Sequence, residues 1–110
     1  GGSVVTRFLK DTRHSDNVKA SFGNSSDLQI YHDGSNSFIS DGGTGDLRIL
    51  GSVVKFNNAN DTENMVVATE DASVELYYDA VKKFETTSAG VTVTGNATVV
   101  ILQSLKELSV

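Results

Sequence analysis

Leu28-Gln29-Ile30-Tyr31-His32-Asp33-Gly34-Ser35-Asn36-Ser37-Phe38-Ile39-Ser40 returns 46 positions later as Val74-Glu75-Leu76-Tyr77-Tyr78-Asp79-Ala80-Val81-Lys82-Lys83-Phe84-Glu85-Thr86. The alignment sets Leu28 against Val74, Ile30 against Leu76, Tyr31 against Tyr77, Asp33 against Asp79 and Phe38 against Phe84, so apolar type and turn position are both kept. The likeness continues outward. Asp46-Leu47-Arg48-Ile49-Leu50-Gly51 answers Gly90-Val91-Thr92-Val93-Thr94-Gly95 at an offset of 44, and Asn17-Val18-Lys19-Ala20-Ser21 answers Asn64-Met65-Val66-Val67-Ala68 at an offset of 47. This pattern predicts an internal repeat of about 46 residues, a β unit used twice as scaffolding, each copy burying its apolar face on a neighbour.

Working outward from the repeat, short alternating stretches separated by turn-forming residues give an all-β chain of antiparallel strands and hairpins. The expected strands are 4–9, 17–22, 27–32, 36–40, 46–50, 52–56, 64–69, 73–78, 82–86 and 91–95. Side chains alternate along a strand, so Leu28, Ile30 and His32 share one face and Gln29 and Tyr31 the other. Val74, Leu76 and Tyr78 are likewise set against Glu75 and Tyr77. Asp33-Gly34 predicts a two-residue type I′ hairpin turn, which needs positive φ at both central residues. Ala80 replaces that glycine in the second copy, and the cost of a β-carbon at positive φ predicts a longer type I loop there.

The expected organisation is a tag or linker remnant at 1–3, an N-terminal strand and turn at 4–16, a first β repeat at 17–56, a polar loop at 57–63, a second β repeat at 64–96 and a distinct C-terminal piece at 97–110. The polar loop reads as a flexible separator between the repeats. In the last piece a strand at 98–101 leads into Ile101, Leu105 and Leu108, whose spacing predicts a short amphipathic helix. So short a helix needs something to dock on, its own sheet or a bundle of identical helices.

At 110 residues the chain is one module or a fragment of something longer, too short for an enzyme with a separate substrate domain. A net charge of −5 with scattered basic residues argues against a nucleic-acid partner. No apolar run approaches the ~18 residues of a membrane span, which argues against membrane insertion. Cysteine is absent, so stability must come from packing and hydrogen bonds. Hydrophobic residues make up 38% and tryptophan is missing, which suits thin β layers that gain a core by self-association.

The search for chemistry yields little. The two histidines, His14 and His32, belong to no evident nucleophile set, and Glu63, Glu70, Glu75 and Glu85 show no facing acid and base pair. Asp41, Asp46, Asn57, Asn58, Asn60, Asp61 and Glu63 are hard oxygen ligands, yet no Asp-x-Asx-x-Asx-Gly loop occurs and turn chemistry explains them. No enzyme activity, cofactor or metal is expected. Tyr31, Tyr77 and Tyr78 could form an aromatic platform for sugars, which gives a second reading of the chain as a carbohydrate-binding module.

The string from Asp27 to Ile39, followed by Gly45-Asp46-Leu47-Arg48-Ile49, resembles the repeats of tail fibre proteins from phages of marine bacteria, cyanophages especially. Val74-Glu75-Leu76-Tyr77-Tyr78-Asp79 and the stretch from Lys82 to Asn96 resemble the companion motif of the same family, and the likeness covers about residues 16–96. The resemblance implies a structural virion protein, a homotrimeric β-rich fibre that works in host attachment, with no catalytic residues to carry over. Partners would be two further copies of the chain and a host surface glycan or protein. An intertwined homotrimeric β-prism or fibre would draw its shared core from Leu28, Ile30, Leu47, Ile49, Val74, Leu76, Val91 and Val93, each large side chain contributing roughly 1.5–3 kcal/mol when buried. Two features depart from the family: Ala80 at a turn where glycine is common, and the segment 102–110, which matches no fibre repeat.

Overall fold

Turn residues cut this chain into strands of three to seven residues. The computed structural model describes residues 2 and 4–103. They form eight strands in two antiparallel sheets and no helix. The chain divides into two units, Gly1–Arg48 and Ile49–Val110.

The first unit holds a three-stranded meander of β1 (Ala20–Phe22), β2 (Leu28–His32) and β3 (Ser37–Asp41). Its first strand is shorter than the expected 17–22 because Asn17 sits at φ +67 and Val18 N–H bonds back to Ser15 O, which makes a turn of the start. Gly23 opens the β1–β2 connection at φ +95, where a β-carbon would lie 2.5 Å from the Asp27 carboxylate. Glycine is therefore favoured there by conformation, and any β-carbon would have to displace the Asp27 side chain.

The second unit holds a five-stranded meander of β4 (Val53–Asn57), β5 (Asn64–Thr69), β6 (Val74–Tyr78), β7 (Val81–Thr87) and β8 (Gly90–Val93). The polar loop expected at 57–63 to separate two repeats instead gives Asn57 to β4 and closes the β4–β5 hairpin with 58–63. The Asn58 side-chain oxygen accepts from the N–H groups of Thr62 and Glu63 at 2.8 Å each, and Asn57 Nδ2 donates to Asp61 at 2.7 Å. Asn and Asp here replace missing ladder bonds with local ones, so the loop is a built turn.

The two hairpin tips reverse the expectation. Asp33-Gly34 does not make a two-residue turn: the strands end at His32 and resume at Ser37 around a four-residue loop in which only Gly34 has positive φ. The Asp33 carboxylate decides this, accepting the Ser35 and Asn36 N–H groups at 2.9 and 2.7 Å, while Asp33 N–H donates to Asn36 O. Asp79-Ala80 is the two-residue turn, with φ +47 and +65 between paired Tyr78 and Val81. Alanine thus sits in the left-handed region, and a β-bulge between Leu76/Phe84 and Tyr77/Lys82 leaves Lys83 as the extra residue.

Beyond these tips the two meanders share a register. Ala20↔Ile30, Ser21↔Gln29 and Phe22↔Leu28 become Val66↔Leu76, Val67↔Glu75 and Ala68↔Val74 on adding 46 to every number. No strand forms at 4–9, 46–50 or 98–101, where strands were expected. Alternation gives these segments the capacity to pair, but pairing needs a neighbour's edge. Most of the expected C-terminal helix, 104–110, lies outside the described residues.

Candidate functional site

Cross-strand register assigns each strand residue to a face, and in the second unit the assignment is one-sided. Phe56, Val66, Leu76, Phe84 and Val93 face one another in a single row across all five strands, and Val54, Ala68 and Val74 continue the same face. This face is only partly covered, with Leu76 43% and Phe56 52% exposed and Val54, Val66, Ala68 and Phe84 half-buried. Phe22, Leu28, Ile30 and Ile39 form the equivalent apolar face of the first meander, where Phe22, Ile30 and Ile39 are exposed.

The opposite face of the five-stranded sheet carries a charged cluster beside Val53 and Val67. Glu75 stands directly across from Glu85, an unfavourable like-charge pair. Lys82 bridges the two carboxylates at 3.1 and 2.8 Å, and Tyr77 Oη donates to Glu75 at 3.3 Å. The hydrogen bonds to Glu85 and then Glu75 hold the Lys82 ammonium well above the ordinary lysine range. Val67 lies on this face between Lys55 and Glu75 and is the only core residue among those described, at 7% exposure. A sheet whose single buried side chain sits on its charged face has left its apolar face for something else.

Among the eight residues expected to build a shared core, Val74, Leu76, Val91 and Val93 lie on strands β6 and β8, with Leu76 and Val93 in the same apolar row. Leu28 and Ile30 lie on the apolar face of the first meander. Leu47 and Ile49 belong to neither sheet. Sequence reasoning missed Phe56, Val66 and Phe84, whose alternation within 52–56, 64–69 and 82–86 was the available signal.

The three tyrosines are divided between the two units, Tyr77 and Tyr78 belonging to the second. Tyr31 belongs to the first unit, flanked by Phe38, with ring centroids 4.7 Å apart, and by the Lys19 ammonium 4.8 Å from its ring centre. Lys19 comes from the β1 side and Phe38 from the β3 side, so the ring is occupied from both flanks. Tyr77 is tied to Glu75, and Tyr78 points to the other face of β6, 75% exposed. No concave pocket is formed among the described residues, and no three His, Asp or Glu side chains converge.

One pairing has the look of chemistry. His32 Nδ1 lies 2.9 Å from Ser37 Oγ across the first hairpin, next to Asp33. Asp33, however, is committed to its turn: the N–H groups of Asn36 and then Ser35 hold its carboxyl below the usual aspartate range. Lacking an orienting carboxylate and a cleft, the pair is a cross-strand hydrogen bond at an exposed hairpin end. Compared with known proteins, the chain matches no family model, no curated protein and no solved structure.

Proposed function

We propose that this chain is a non-catalytic structural segment of a phage tail fibre, a β shaft or spacer in the virion that supports host attachment as a homotrimer. The observation that carries the reading is the row Phe56, Val66, Leu76, Phe84 and Val93, in which Phe56, Leu76 and Val93 are exposed and Val66 and Phe84 only half-buried. A face of this composition needs an apolar partner, and an identical face on another copy supplies one without any further protein. The sequence resemblance contributes the family and the number three. The register repeated at 46 residues supports two copies of one scaffold unit, each with an apolar face of its own.

Light scattering on a sizing column tests this directly, with an expected mass three times the 11.7 kDa chain. Ile30→Asp or Leu76→Asp, placed on half-exposed positions, should leave the β circular dichroism signal of the sheets and abolish the trimer. A well-folded wild-type monomer at all concentrations would overturn the reading.

A further inference from the structure

We propose that the Asp33–Gly34 peptide, at the tip of the β2–β3 hairpin, is a site of self-modification that converts to isoaspartate through a cyclic imide. The second Asp-Gly peptide of the same meander, Asp41–Gly42, is protected by the sheet. The inference goes beyond the structural reading above and does not depend on it.

The chemistry needs only the chain and water. The backbone nitrogen of the residue after an aspartate attacks the side-chain Cγ and closes a five-membered ring. The N–Cγ bond forms, the Cγ–OH bond of the protonated carboxyl breaks, and the hydroxyl leaves with the amide proton as water. A second water then opens the imide at either carbonyl. Breaking the N–Cγ bond restores aspartate. Breaking the bond from nitrogen to the main-chain carbonyl leaves the backbone running through Cβ and Cγ, one methylene longer, with the α-carboxylate as the side group. Glycine as the following residue puts no β-carbon in the way of ring closure. The chain has two such peptides, Asp33–Gly34 and Asp41–Gly42.

Both carboxyls are folded forward over the chain that follows them. Asp33 Oδ1 accepts the Ser35 and Asn36 N–H groups at 2.9 and 2.7 Å, and Asp41 Oδ1 accepts the Gly43 N–H at 3.0 Å. What separates the two sites is the nitrogen that must attack. Gly34 is exposed in its loop at φ +99, and its N–H makes no hydrogen bond among the described residues. Gly42 N–H is a ladder rung, donating to Asp27 O at 2.7 Å across the β2–β3 pair. A ladder amide must open before it can lose its proton and turn toward the carboxyl, so only a minor population reacts. As nitrogen adds to Cγ, negative charge gathers on an oxygen, and at position 33 that oxygen already has two donors aimed at it. The same bonds favour the ionised carboxylate, which has no hydroxyl to release, so the reacting form is the minority acid and conversion is slow. Its product takes the Asp33 carboxylate out of the position from which it holds the Ser35 and Asn36 N–H groups, and the hairpin tip loosens.

The test is to age the unaltered chain for several weeks below its unfolding temperature, beside a sample kept unfolded in urea. Isoaspartate is located by peptide mapping with electron-transfer fragmentation and confirmed by methylation with an isoaspartyl methyltransferase. In the folded chain it should appear at 33 about tenfold or more faster than at 41. In urea, where no ladder exists, the two positions should convert at similar rates. Equal rates in the folded chain, faster conversion at 41, or no isoaspartate at 33 by the time the urea sample has converted would each overturn the proposal. Amide hydrogen exchange gives an independent readout. The Gly42 N–H should be protected and the Gly34 N–H should exchange freely, and equal protection of the two removes the ground on which the sites are distinguished.

Discussion

Ala80 shows how a single side chain can be forced by its surroundings. With φ +65 it occupies a conformation that costs an L-residue roughly 1–2 kcal/mol, held by the paired Tyr78 and Val81 on either side. Ala80→Gly should therefore raise stability by about 1 kcal/mol, read as a shift in the denaturant midpoint without change of slope. Gly23→Ala should do the reverse, losing about 1–2 kcal/mol from strain alone and more from the clash with Asp27. Asp33 supplies a pH signature. Its folded pKa lies below the ordinary 3.8, so its contribution is present above that value and fades as pH falls through the folded one. Asp33→Asn should flatten the acid limb of the stability curve below about pH 4, measured by denaturation at a series of pH values.

At the scale of strands, periodicity was readable and partnership was not. Alternation in 27–32, 64–69 and 73–78 located β2, β5 and β6 to within a residue, because those segments each have neighbours on both sides. The same alternation in 4–9 and 46–50 produced no strand, since a ladder needs a second edge and a sequence does not say whose edge that is. The hairpin tips misled for a different reason: Asp33 prefers to bond Ser35 and Asn36, and this local choice outweighed the Asp-Gly signal. The apolar face was half legible, with Leu76 and Val93 foreseen and Phe56, Val66 and Phe84 not, because register fixes which residues from distant strands stand in one row. At this scale Val67→Ala should cost about 1.5–2 kcal/mol by the two methylene equivalents removed, the largest aliphatic truncation effect in β5 when stability is followed by thermal unfolding.

For the molecule as a whole, the decisive contrast is between two faces of one sheet. On the charged face Lys82 bridges Glu75 and Glu85, whereas the apolar face is only half-buried. Lys82→Ala should weaken the fold by leaving two opposed carboxylates, and lowering the pH toward the carboxylate range should restore part of that loss in thermal melts. Every ladder in both meanders joins strands adjacent in sequence, through connections as short as two residues. Contacts so local form on the microsecond scale of hairpins, whereas the proposed meeting with another copy would depend on concentration. Refolding should thus show two clocks. Strand signal returns first at a rate indifferent to dilution, and resistance to denaturant follows at a rate that slows as the protein is diluted. The time between them is an interval in which register is already settled but the apolar faces lie open, so crowding by unrelated apolar surfaces then would divert the chain toward aggregates.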